Sequence, residues 1–457
     1  MPTDPVPELL SRATELLEEQ FAALPAFDSA ANPAAMARVL EGVARRLGDN
    51  YPYFHPLYAG QMLKPPHPLA RAAYALAMTI NPNNHARDGG RASSEMEIEA
   101  VREIAAIFGW ADFLGHLNSS GTLANLEALW VAGQLAPARR IVGSEQAHYT
   151  HQRISAVLKL EYAPIAADRR GRMSMEALED ELRKGDVGTV VVTLGTTAIG
   201  AVDPLDEILA LRSRYGFRVH VDAAYGGYFR LISEALDEPA RRAFAVIGQA
   251  DSIVIDPHKH GLQPYGCGCV LFRDPTVGRF YKHDSPYTYF TSRQLHLGEI
   301  SLECSRAGAS AVALWATQKL LPPVPGGEFA LGLARGRAAA MELDRRLRED
   351  KSGRFQALAG GGPELDIVVW KAKAETPQQS SALAQKIFAA CTLRDLHLAL
   401  VELPLRWFQP VAGFESANGA GTVTCLRSVL MKPEHEAWLD AIWERLTAAS
   451  AEVLETG

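Results

Sequence analysis

Lys259 is the residue whose setting converts most directly into chemistry. It lies in Asp251-Ser-Ile-Val-Ile-Asp-Pro-His-Lys-His-Gly-Leu-Gln-Pro-Tyr-Gly-Cys-Gly-Cys269, just beyond the β-branched run Ser252–Ile255. That run predicts a short buried strand, and Asp256-Pro257 ends it because proline cannot continue a hydrogen-bonded ladder. Gly261, Gly266 and Gly268 follow, where backbone can approach a ligand closely. A lysine at the carboxyl end of a strand in an open α/β sheet faces the crevice such sheets use for ligands. Partial desolvation there favours the free amine, which can attack a carbonyl to give an imine.

Three further groups could cooperate with it. Asn118-Ser-Ser-Gly-Thr122 precedes a predicted helix, Leu123–Leu135. Small residues with amides and hydroxyls at a helix amino end make an anion cradle, and equally make an ordinary cap. Val219-His-Val-Asp-Ala-Ala-Tyr-Gly-Gly227 ends a second buried strand in Asp222. A buried carboxylate needs a cationic partner, either an arginine, the commoner structural case, or the ring nitrogen of a pyridinium ligand. One helix and one strand separate Asp222 from Lys259, which predicts both at the same sheet edge. His148, in Ser144-Glu-Gln-Ala-His-Tyr-Thr-His151, could stack on a flat ring, cap a helix, or join His151 on a metal. His-x-x-His lacks the accompanying acid of metal motifs, so no metal is expected.

The elements that must position these groups follow a strand-then-helix rhythm from Gly115 to about Val270. Strands are predicted near Ile141–Gly143, Thr189–Thr193, Arg218–Asp222 and Ser252–Ile255. That rhythm is the signature of an α/β fold with a mostly parallel central sheet covered by helices. Amphipathic spacing predicts helices over Glu8–Leu24, Pro33–Leu47, His67–Met78 and Ser94–Phe108. Pro322-Pro-Val-Pro-Gly-Gly327 breaks the chain, and beyond it a long helix Phe329–Glu349, three strand-like runs and a last helix from Glu434 predict a small C-terminal α+β domain. The expected divisions are 1–64, an N-terminal helical segment; 65–321, a large domain; and 322–457, a small one. Tyr51–Tyr58, aromatic and proline-punctuated, is either a packed loop or a pocket rim. The polar loop Asn81–Gly90, with Asn83 and His85, is a candidate for substrate contacts.

Composition narrows the partners. A formal charge of −7 and an isoelectric point near 6.0 argue against nucleic acid or an anionic membrane. No apolar run is long enough to span a bilayer, and the opening Met1-Pro-Thr-Asp-Pro-Val-Pro-Glu8 lacks the basic and apolar regions of a signal peptide, so a cytoplasmic location is expected. Five cysteines are a sparse, odd set that fits reduced thiols.

Taken together, Asn118–Asn125, Ser144–His148, Val192-Thr-Leu-Gly-Thr-Thr197, His220-Val-Asp-Ala-Ala-Tyr-Gly and Asp256-Pro-His-Lys259 resemble the group II pyridoxal-phosphate-dependent amino-acid decarboxylases. That family includes aromatic amino acid, glutamate and archaeal tyrosine/aspartate decarboxylases. Any one motif is weak; five in order over about a third of the chain are specific. The resemblance runs from about Pro65 to the C-terminus and implies the fold-type-I architecture of PLP-dependent transferases. It also implies a homodimer with active sites at the subunit interface and pyridoxal 5'-phosphate (PLP) as cofactor.

By the same resemblance Lys259 binds the PLP aldehyde, Asp222 partners the pyridine nitrogen, and His148 and Ala224 flank the ring. Ser120, Gly121, Thr122 and His258 would hold the phosphate, and Thr196 would lie near the ring hydroxyl. Asp256 stands where some relatives carry Asn. Tyr287, in the loop candidate Phe280–Phe290, would return a proton to the α-carbon, and Arg427 would hold the substrate carboxylate. Leu302–Ala309 resembles a motif near the phosphate of the partner subunit. The implied reaction is decarboxylation of an L-amino acid, aromatic or acidic, to its amine. Rival readings are a PLP-dependent carbon–carbon lyase of the sphingosine-phosphate-lyase type and a metallohydrolase built on His148, His151, His258 and His260.

Overall fold

Parallel strands buried on both faces need near-continuous apolar, β-branched sequence, and the middle of this chain supplies it. In the computed structural model, which describes residues 4–27, 32–282, 301–408 and 421–455, seven strands form the main sheet. They are β1 (Leu114–Asn118), β2 (Arg140–Ser144), β3 (Tyr162–Ile165), β4 (Val187–Thr193), β5 (Arg218–Asp222), β6 (Ser252–Ile255) and β7 (Gly268–Phe272). The order is β1-β7-β6-β5-β4-β2-β3, and β7 alone runs antiparallel to its neighbours. Every residue of β4 and β6 is buried.

Alternation along these strands splits the core between the two faces. Val190, Val192, Val219, Val221, Ile253 and Ile255 join Ile104, Phe229 and Leu314 on one side. Val254 and Val270 meet Ala124, Ala128 and Val131 of the helix Gly121–Leu135 on the other. Asp222 is paired with Val254 across the β5–β6 ladder, so the carboxylate and the turn bearing Lys259 do reach one sheet edge.

Beyond the main sheet, β8 (Phe355–Ala357), β9 (Ile367–Ala372), β10 (Ala399–Pro404) and β11 (Thr422–Val429) form an antiparallel sheet in the order β10-β11-β9-β8. Leu343, Trp370, Ile387, Leu426 and Leu439 make its core, and Leu57 and Ala59 are part of it. The Tyr51–Tyr58 run is both packed loop and pocket rim: Tyr51 and Tyr58 lie against His397, the Ala59 amide donates to His397 O at 2.9 Å, and Phe54, His55 and Pro56 line a cavity. The first helix is Val6–Glu19, shorter than expected, and the second is Pro33–Leu47 as expected. Neither buries a residue. Among the described residues no helix is long and apolar enough to cross a membrane.

Candidate active site

The carboxyl ends of β4, β5 and β6 open onto a cavity of about 180 Å³. Its lining includes Ser120, Gly121, Thr122, His148, Asp222, Ala224, His258 and Lys259, eight residues expected from the sequence. Seven more from the motif runs or beside them also line it: Asn125, Thr150, Thr193, Gly195, Thr197, Tyr225 and Asp256.

Each charged group has a definable partner. Asp222 is buried, and its Oδ2 lies 2.7 Å from Nε2 of the fully buried His151, while Oδ1 accepts from the Ala224 amide at 3.1 Å. Its partner within the chain is therefore a histidine, where the sequence offered an arginine or a ligand nitrogen. Among the described residues His151 Nδ1 has no hydrogen-bond partner, so the ring is anchored through Nε2, which faces the carboxylate. Burial alone would raise the Asp222 carboxyl, but the hydrogen bond and charge of His151, with Lys259 beyond, hold it well below the ordinary carboxylate range.

Lys259 Nζ stands 3.0 Å from Asp256 Oδ2, and His258 Nε2 stands 3.5 Å from the same oxygen. His258 Nδ1 is fixed at 2.7 Å from Cys267 O. Next to this group Ser120 caps the helix Gly121–Leu135 by accepting from the Leu123 amide at 3.2 Å. Gly121 is required there, since a Cβ would come within 2.6 Å of Asp256 Oδ2. Thr150 Oγ1 donates to Thr122 Oγ1 at 3.2 Å, and the Thr150 amide donates to His148 Nδ1 at 3.3 Å. Burial is the main cause that keeps His148 below the usual histidine pKa.

Other expected residues lie elsewhere. Thr196 is fully buried beneath its turn, where its hydroxyl accepts from the Ala201 amide at 2.9 Å; Thr193 and Thr197 line the cavity instead. Gly195, at φ +105°, turns the chain so that alternate threonines face inward. Arg427 does not line the cavity. Its guanidinium is buried against backbone, donating to Thr197 O at 2.7 Å and Ala198 O at 3.0 Å, and to Gln61 Oε1 at 3.0 Å. Asn83 is packed with the 305–307 segment, donating to Ser305 Oγ at 3.2 Å and accepting from the Arg306 amide at 3.0 Å, and the His85 amide donates to Asn83 Oδ1 at 3.1 Å. Two residues before that segment, Glu303 Oε2 accepts from the Ser119 amide at 2.9 Å, beside the cradle of its own chain. Tyr287 lies outside the described residues.

The histidines do not converge as a metallohydrolase requires. His148 lines the cavity, His151 is spent on Asp222, His258 on Cys267, and His260 faces a different cavity. The chemistry gathered here is instead an anion cradle, an amine and a carboxylate kept ionised. Two buried polar atoms on the wall, Thr193 Oγ1 and Asp256 Oδ1, have no hydrogen-bond partner among the described residues. A phosphorylated pyridine aldehyde meets that set: its phosphate suits the cradle, its carbonyl the amine, and its ring nitrogen the carboxylate.

Comparison with known proteins gives the same answer. Residues 127–322 match the family model described as the pyridoxal-dependent decarboxylase conserved domain. The chain is 28% identical to an L-tyrosine decarboxylase of Enterococcus faecium, over 79% of this chain and 76% of that one. It is 30% identical to a probable L-tyrosine/L-aspartate decarboxylase of Methanothermobacter thermautotrophicus, over 70% of this chain and 84% of that one. The crystal structure of mouse CSAD in apo form shares the fold, with a TM-score of 0.76 at 21% identity, covering 95% of this chain and 92% of that one. Identity and coverage of this extent, on a site with this chemistry, make the chain a member of the group II PLP-dependent decarboxylases, enzymes that remove the α-carboxylate of an amino acid.

Proposed function

We propose that the enzyme decarboxylates an aromatic L-amino acid, tyrosine foremost, to its amine, with PLP held in the cavity between β4, β5 and β6. One observation carries the placement: Asp222 and Lys259, at the ends of adjacent parallel strands, line the same cavity as the Ser120–Thr122 cradle. Ser120, Gly121, Thr122 and His258 hold the phosphate. Lys259 is the attachment point, Asp222 is the carboxylate for the ring nitrogen, and His148 and Ala224 flank the ring. Thr193 or Thr197, rather than Thr196, serves the ring hydroxyl. Bound there, PLP supplies an electron sink for the carbon that loses carbon dioxide. His151 keeps Asp222 ionised, and burial keeps His148 neutral beside it. Tyr287 returns the proton to the α-carbon, as the family resemblance implies. Arg427 positions the Thr197–Ala198 turn. The names of the relatives support tyrosine, with aspartate as the acidic alternative.

The enzyme acts as a homodimer in the cytoplasm. Met36, Val39, Leu40, Val43 and Leu47 form an exposed apolar stripe on the helix Pro33–Leu47, which a second copy of the chain would bury. All five cysteines are unpaired, as a reducing compartment requires.

The test is borohydride reduction of the PLP-loaded enzyme followed by peptide mapping, with a panel of the twenty common amino acids assayed for amine and carbon dioxide. The cofactor should be trapped on Lys259, and Lys259→Ala should trap none and turn over nothing. Labelling at another lysine overturns the site; turnover of aspartate in place of tyrosine overturns the substrate.

A further inference from the structure

A second cavity, of about 720 Å³, lies between the segment 54–68, the helix Glu328–Glu349 and the turn 431–438. It shares no lining residue with the PLP cavity. Much of its wall is apolar, with Phe329, Leu333, Met431 and Trp438 prominent. Two ammonium groups stand in that wall. Lys432 is 3% exposed; its Nζ donates to Tyr58 O at 2.6 Å and faces the Tyr58 ring 5.2 Å from its centroid. Lys64 Nζ donates to Met431 O at 3.3 Å.

An ammonium has three donors, and each of these uses one on a neutral carbonyl. Among the described residues neither has a carboxylate oxygen within 4.0 Å; Glu434 and Asp366 act on them only from farther off. Burial pulls Lys64 down to about 8, and burial together with the Lys64 charge pulls Lys432 down to about 7. His260 lines the same wall at 1% exposure, and its Nε2 stands 3.3 Å from Asp366 Oδ2, whose Oδ1 also accepts from the Tyr225 hydroxyl at 2.6 Å. With Asp366 engaged by His260 and Tyr225, the two ammonium groups keep unused donors in an apolar wall, which is costly without a counter-charge, and an anion entering the cavity would supply it. Exposed Glu328 and Glu434 on the same lining weigh against a dianion.

We propose that this cavity binds a small amphipathic monocarboxylate, its head taken by Lys64 and Lys432 and its apolar body laid along Phe329, Leu333 and Trp438. The site is separate from catalysis, and its test does not depend on which amino acid the enzyme decarboxylates.

The probe is octanoate, titrated calorimetrically into the PLP-loaded full chain, with octanol as the uncharged control. Binding should saturate at one site per chain, and Lys432→Met and Lys64→Met should each weaken it about tenfold, the loss of one charge-assisted contact. Gly332→Leu fills the cavity from the helix: a Cβ there meets only Pro433 Cγ, at 3.3 Å. Replacing a helical glycine should not lower the melting temperature, so loss of octanoate binding in that variant reports the cavity and not misfolding. Absence of saturable heat, as would follow if a second copy of the chain covers the cavity, overturns the proposal. So does octanol binding as tightly as octanoate, or affinity unchanged in all three variants.

Discussion

Replacing His151 by leucine should convert Asp222 from a charged group into a liability. The pair is 2.7 Å apart, with the imidazole fully buried and the carboxylate side chain 5% exposed. Deleting the imidazole removes a charge-assisted hydrogen bond of about 1.5–3 kcal/mol, equivalent to roughly one to two pKa units. Burial, which already opposes the charged form, then dominates, and the carboxyl rises. Removing one member of a buried pair costs about 3 kcal/mol at neutral pH. The pH dependence reverses in sign. In the parent, Asp222 is depressed below 3.8, so its contribution to stability is present above that pH and lost only as pH falls through the lower folded value. In the variant a raised carboxyl costs stability above the ordinary value, and acidification reduces that cost. The difference in melting temperature between parent and His151→Leu should therefore narrow from about pH 7.5 to about pH 5. PLP affinity, from fluorescence titration of the apoenzyme, should fall about 10- to 100-fold, because the site no longer holds an ionised carboxylate for the ring nitrogen. His151→Gln keeps a donor and should recover much of both. If the leucine variant melts with the parent at neutral pH and binds PLP equally well, the positioning role of His151 is refuted.

Gly121→Ala should weaken PLP about tenfold in the same titration, since the new Cβ displaces an Asp256 carboxylate that also contacts Lys259. Tyr287→Phe should slow amine formation about 100-fold while leaving PLP affinity unchanged, measured by product chromatography beside the titration. His148 is kept neutral by burial, so kcat/KM should hold as pH falls to 6.5, the ordinary histidine value, and decline only below it; an earlier decline would reject that account. Leu40→Glu, on the exposed stripe of the second helix, should shift the enzyme toward monomer in sedimentation velocity.

The parts of the site that a reader can find in the sequence are those whose chemistry coincides with a strand end. Ser252–Ile255 and Arg218–Asp222 are strands where the β-branched pattern placed them, and each leads directly to its functional residue. Leu114–Asn118 and Tyr162–Ile165 carry a glycine or a proline and no long β-branched run, so no local pattern marks β1 or edge strand β3. His151 is hidden for another reason: it meets Asp222 across 71 residues, and nothing near either residue announces the pair. Thr196 was the threonine suggested by its motif, but the left-handed turn at Gly195 decides which hydroxyl looks inward. Arg427 has the fork a carboxylate needs, yet the fold gives that fork to backbone carbonyls.

The reversal of direction at β7 has a consequence for Lys259. In a parallel crossover the chain leaves a strand tip and departs along a helix, fastened at one end. Here it re-enters the sheet at Gly268 beside β6, and His258 is tied across the span to Cys267, so residues 256–267 are pinned at both margins. The amine proposed as the attachment point is thus carried on a stationary mount, its backbone fastened on both sides.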